Sequence, residues 1–232
     1  VRFKTLMKSK NEIKRIRRRL SCISWFMSTL LENIARRANK EDGTTGRFWE
    51  TRFKCRECTD ANAILVCGLY VDVNPIKAGE ACSPETALFT SAYDRIKAQS
   101  QRLNSRVRTD GWMAELTQQP ESKADEERAY SSRSGRRASD MGVLPLSLED
   151  YLKLLKWVAR LLRSGERTTI PKDLEGVLDH AKVNHEVLLD TLNDYETLFC
   201  HAVGPATSLA KVAKRVGVCH LKGAKANRSI FT

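Results

Sequence analysis

The chain has 232 residues, with 40 Lys/Arg against 28 Asp/Glu, a net charge of +12 and 41% hydrophobic residues. That length supports one or two domains with real cores, and no apolar run approaches the ~18 residues a membrane span needs. Seven cysteines, an odd number with no secretory signal ahead of them, point to a reducing cytoplasm rather than a disulfide scaffold.

The charge is uneven. Residues 1–60 hold 16 Lys/Arg against 7 Asp/Glu, residues 61–140 hold 11 against 11, and residues 141–232 hold 13 against 10. A basic surface draws polyanions, nucleic acid above all; the alternative is a solvated helix face that only aids solubility. From Lys10 to Ala38, Ile13, Ile16, Leu20, Ile23, Phe26, Leu30 and Ile34 recur every three or four residues, which predicts one amphipathic helix. Lys14, Arg15, Arg17, Arg18 and Arg19 lie around its outer face and can track phosphates.

Residues 39–45 read as a loop with Asp42-Gly43 as the turn. Gly46 to Cys55 alternates loosely and predicts a strand. Arg47, Arg52 and Trp49 on it can clamp a DNA backbone and stack a base, although a Trp in such a place is more often core. Cys55-Arg-Glu-Cys58 has metal-like spacing with no second pair to complete a zinc site. Asp60 predicts the start of a helix over 61–74, and Pro75 its kink or end. Ile64, Leu65, Gly68, Leu69 and Val73 suit burial along much of its girth. Tyr70 and Asn74, four apart, share one face. A phenol beside an amide serves as nucleophile beside a metal ligand, or simply packs its ring and bonds its tip.

Residues 84–97 read as a loop and short helix. Residues 98–140 are polar, with scattered anchors at Trp112, Met113 and Leu116, and read as a largely disordered linker; Arg136-Arg137 is a loose basic pair. Order returns at Val143. Ser147 with Asp150 forms a capping box for a helix that Gly165 closes. Pro171 opens a second helix, residues 184–201 form a third, and residues 208–216 form a fourth. Ala213 and Gly217 have the spacing of a helix-turn-helix first helix, but Gly223 interrupts the place of a recognition helix.

The block Gly46-Arg47-Phe-Trp49 with Arg52-Phe53, followed by Tyr70-Val71-Asp-Val-Asn74-Pro75-Ile76-Lys77-Ala-Gly79, resembles the single-tyrosine HUH transposases, especially their REP-associated branch. The clear match covers residues 20–96, with a weaker likeness from Arg136 onward. The resemblance implies DNA as partner, single-stranded or hairpin, at the nucleoid. It implies that Tyr70 attacks a DNA phosphate, forming a 5′-phosphotyrosine. It further implies a Mg²⁺ or Mn²⁺ ion held by two His of an H-x-H motif and by Asn74. The residues expected to contact DNA are Arg47, Trp49, Arg52 and Lys77, together with Arg15, Arg18 and Arg19 of the basic helix.

The H-x-H motif is missing: the four histidines, His180, His185, His201 and His220, lie far downstream and none are at one-residue spacing. One Asn cannot supply an octahedral ion. The expectation is therefore a transposase without the front half of its catalytic domain, unable to nick alone, which can still lend Tyr70 to an intact transposase subunit. The alternative is a non-catalytic DNA-binding or regulatory protein. The fold expected is α+β but mostly helical. Residues 1–96 would be the remnant of a ferredoxin-like HUH domain, 97–140 a polar linker, and 141–232 a helical C-terminal domain.

Overall fold

The computed structural model describes residues 9–101, 113–118, 142–165 and 169–231. The chain divides into two compact units, residues 1–55 and 56–232. The architecture is mostly helical with one small parallel sheet.

In the first unit, α1 (Lys10–Leu20) is capped by Ser9 Oγ, which accepts from Glu12 N, and α2 spans Ile23–Glu41. The single helix expected over 10–38 is thus two. Ser21 turns its hydroxyl back onto the Arg18 carbonyl (3.2 Å), and Cys22 takes an extended backbone. A serine that bonds the preceding turn competes with helix propagation. Asp42 and Gly43 (φ +63°) end α2 as expected.

The strand expected over 46–55 is not formed. Arg47 Nε instead bonds the Trp49 carbonyl (2.8 Å), and Trp49 Nε1 bonds the Leu31 carbonyl of α2 (3.0 Å). Extended backbone needs a ladder partner, and here the side chains fold the segment onto itself and onto α2. None of the described residues 9–55 is buried.

In the second unit, β1 (Glu57–Cys58) pairs in parallel with β2 (Ala202–Val203), Glu57 opposite Ala202. α3 (Ala61–Lys77) follows. Asp60 Oδ1 accepts from Ala63 N at 2.8 Å, the N-cap that the sequence predicts. The helix runs through Pro75 and stops two residues later, where Gly79 (φ +76°) takes the left-handed turn that suits glycine. Pro75 lacks the N–H that would bond the Val71 carbonyl, and Val71 lies on the exposed side of the helix (54% exposed), where losing that bond costs least. α4 (Ser91–Gln101) is next.

Residues 113–118 dock rather than float: Leu116 is buried and its carbonyl accepts from Val143 N and Leu144 N. Trp112, Arg136-Arg137 and most of the expected linker lie outside the described residues.

α5 (Leu148–Ser164) carries the predicted capping box, with Ser147 Oγ accepting from Asp150 N at 3.0 Å, and Gly165 closes it at φ +69°. α6 (Lys172–His180) starts after Pro171. The third helix expected over 184–201 breaks at Asp194 into α7 (His185–Asn193) and a single turn, α8 (Tyr195–Leu198). α9 (Ala206–Val216) and α10 (Ala224–Ile230) complete the chain. Gly223 begins α10, at φ +93°, rather than interrupting it.

The core is built around α3. Leu65, Val66, Leu69 and Val73 pack with Leu154, Leu155 and Val158 of α5 and Leu188 and Leu192 of α7. Gly68 permits the approach of α5: a Cβ there would sit 3.3 Å from the Tyr151 hydroxyl. That hydroxyl donates to Asp72 Oδ2 at 2.7 Å, and Ser91 Oγ donates to the same carboxylate. Asp72, 1% exposed, thereby ties α3 to α4 and α5. The tyrosine helix shares its core with the C-terminal helices.

Candidate functional site

One stripe of α3 escapes the core. Cys67, Tyr70 and Lys77 are half-buried, and Val71 and Asn74 are exposed. The periodicity that buries Leu69 and Val73 places these residues on the opposite edge. Tyr70 and Asn74 therefore share an accessible edge, as their spacing predicts.

The Tyr70 ring stacks on Tyr195 of α8 (centroids 4.2 Å apart, planes 14° from parallel), and its hydroxyl donates to Glu196 Oε1 at 3.1 Å. Arg56, just ahead of β1, anchors the far side of this pair. Its Nε donates to the Phe199 carbonyl (2.8 Å), its Nη2 to the Glu196 carbonyl (3.2 Å), and its guanidinium lies 5.6 Å from the Tyr195 ring. Burial, then the Glu196 hydrogen bond and charge, raise the Tyr70 phenol above its ordinary pKa, against a smaller opposing pull from Arg56. A phenol pushed upward in this way stays protonated at neutral pH.

Lys77 lies 5.6 Å from the Tyr70 ring, but its ammonium is committed to the Leu192 and Asn193 carbonyls (2.8 and 3.0 Å). It caps the C-terminus of α7, where a cation is favoured. Burial lowers its pKa, and Asp194 and Glu196 work the other way. Lys77, expected to contact DNA, is held by these two carbonyls.

Beneath Tyr195 lies a thiol pair. Cys67 sits three residues before Tyr70 on the same face, and the Cys58 thiol of β1 hydrogen-bonds to it. That bond is the main cause of a Cys67 pKa lowered to about 6, against burial, with further help from the Tyr195 hydroxyl and Arg56. The Cys58 partner that matters is therefore Cys67, nine residues on, rather than Cys55. The 67/70/74/77 spacing is readable on a helical wheel. Glu196 and Tyr195, more than 120 residues away in sequence, carry no such signal.

The first unit holds the other residues expected to bind DNA. Arg15 pairs with Glu12 (2.7 Å), and Arg19 lies 4.1 Å over the Trp25 ring. Arg18 and Arg52 are exposed. Arg47 is held against Trp49, whose ring meets Phe48 edge-on at 4.9 Å and stays 38% exposed. Trp49 is thus neither core nor free: its indole N–H is spent on α2.

For the Mg²⁺ or Mn²⁺ that the sequence resemblance implies, the described residues supply only part of a ligand set. Among the described residues no group of three or more His, Cys, Asp or Glu can hold a metal, and Asn74 is a single carboxamide where such an ion needs about six oxygens. Among the described residues no helix is long and apolar enough to cross a membrane. Comparison with family models, with curated proteins and with solved structures found no match to this chain.

Proposed function

We propose that this chain is a transposase-like DNA-binding protein of the single-tyrosine HUH type, a remnant of a ferredoxin-like domain that binds DNA but does not cleave it alone. The observation that carries this reading is the accessible edge of α3, where Tyr70 and Asn74 stand one helical turn apart with the phenol donating to Glu196. The net charge of +12 and the exposed Arg15, Arg18 and Arg19 support DNA as the partner. The test is binding to a labelled single-stranded or hairpin oligonucleotide across a salt series. We expect affinity to fall steeply with salt, and a triple Arg15→Gln/Arg18→Gln/Arg19→Gln variant to have a slope shallower by about 2–3. A flat salt response would overturn the reading.

A second reading is favoured by the 3.1 Å hydrogen bond from Tyr70 to Glu196, which pairs a nucleophile with a base. On it, the chain lends Tyr70 to an intact transposase subunit that brings the His pair. Mixed with a subunit whose own tyrosine is Phe, the chain would form a DNA adduct that Tyr70→Phe abolishes. No adduct, or one that survives Tyr70→Phe, sinks this version.

A further inference from the structure

Residues 204–232 contain six Lys/Arg and no Asp or Glu. The described part of this segment is almost entirely α9, α10 and the seven-residue connection between them. Their apolar residues turn inward: Leu209, Val212, Ala213 and Leu221 form a small core with Ala202 of β2. Asn227, fully buried, anchors α10 to the segment just before α9: its Oδ1 accepts from Gly204 N (2.8 Å) and its Nδ2 donates to the Gly223 carbonyl at the start of its own helix (2.9 Å).

The cations are left outside. Lys211, Lys214, Arg215, Lys222, Lys225 and Arg228 are all exposed. Arg215 is engaged by Glu57, and Lys222 and Lys225 line a pocket that Asp190 and Asp194 also line. That leaves Lys211 and Lys214, three apart on one face of α9, and Arg228 on α10, which donates Nε to the Ala224 carbonyl of its own helix (3.4 Å) and lines a second pocket shared by both helices.

From this geometry we infer that α9 and α10 form a clamp for the phosphate backbone of duplex DNA, with Lys211, Lys214 and Arg228 as its contacts. The inference rests on the DNA reading above but places a second contact away from Tyr70. Charge complementarity selects the occupant, since a polyanion gains from a surface with no acid in its own helices. A membrane surface fits less well, because an interfacial helix needs an outward apolar face and the apolar face of α9 is spent on its core.

The clamp does not read sequence. A helix-turn-helix joins its helices by three or four residues, whereas seven separate α9 from α10, and α10 spans seven residues. Contacts to phosphates alone position a protein without specifying bases.

The test is fluorescence anisotropy of labelled 20-base-pair duplexes of two unrelated sequences, over a salt series, with the whole chain. The Lys211→Gln/Lys214→Gln/Arg228→Gln variant should bind both duplexes at least ten-fold more weakly at low salt. Its log-log salt slope should be shallower by about 2–3, since each phosphate contact contributes ~0.9. A control of equal charge loss, Lys153→Gln/Arg160→Gln/Lys172→Gln, separates local from net charge and should retain most of the affinity. Far-ultraviolet circular dichroism confirms that both variants fold.

Wild-type affinity unchanged in the clamp variant would overturn this inference and leave the DNA reading standing. An equal loss in the control would overturn it too, as would a strong preference for one duplex. Failure of the wild type to bind any DNA would overturn both, and binding to anionic vesicles alone would reassign the surface to membranes.

Discussion

Helix α2 and helix α3 are both rich in large apolar residues and differ in where those residues go. On α2, Ile23, Trp25, Phe26, Leu30 and Ile34 are each at least 40% exposed; on α3, Ala63, Leu65, Val66, Leu69 and Val73 are fully buried. Amphipathic period fixes which side chains share a face, but burial needs a second surface to meet that face. α3 has such surfaces in α5 and α7, and its stability is cooperative with theirs. The apolar stripe of α1 and α2 contributes little within its own unit.

The widest separation between the two regions should come from core truncation. Leu155→Ala, at a fully buried site against α3, is expected to cost about 2–5 kcal/mol in urea denaturation, whereas Leu30→Ala on α2 should cost under ~1 kcal/mol. Comparable losses would mean that α2 is packed in solution.

Somewhat smaller is the effect of Asp72→Ala. It leaves the buried Tyr151 hydroxyl and the start of α4 without their shared acceptor, at a cost of about 2–3 kcal/mol. Recovery of part of that loss in Asp72→Ala/Tyr151→Phe, read by the same denaturation, would verify the coupling.

The thiol pair offers a sharper probe of the site. Cys67 should alkylate with a midpoint near pH 6, apart from the other six cysteines, and Cys58→Ser should move that midpoint upward. The folded pKa lies below the ordinary value of 9, so the stability it brings is fully present above pH 9 and is lost as pH falls through about 6. Cys67→Ser should flatten the melting temperature across that window. The smallest effect is that of Tyr70→Phe. Its hydrogen bond to Glu196 is solvent-exposed, so its removal should change stability by under ~1 kcal/mol. A larger loss would recast Tyr70 as a structural residue.

Local chemistry was legible in the sequence where the signal is short-range. Asp60, Ser147 with Asp150, Gly165 and Pro171 each mark a helix end because a cap or a fixed dihedral acts within three residues. The Tyr70/Asn74 edge was legible for the same reason. The break at Ser21 was not, because an unbroken apolar period hides a serine that turns onto its own helix. Nor was the missing strand at 46–55, because loose alternation does not report whether a ladder partner exists. The union of α3 with the C-terminal helices was hidden by the intervening polar stretch, and Glu196, Tyr195 and Arg56 were invisible because only the fold brings them to Tyr70.

The proposal that this chain holds DNA without cutting it can be tested on one oligonucleotide. The most direct measurement follows a labelled hairpin oligonucleotide mixed with the chain and Mn²⁺, its anisotropy read before and after addition of a denaturing detergent. The expected complex forms at low salt, weakens as salt rises and vanishes completely in detergent. A detergent-resistant adduct that Tyr70→Phe removes, or no complex at any salt concentration, would contradict it.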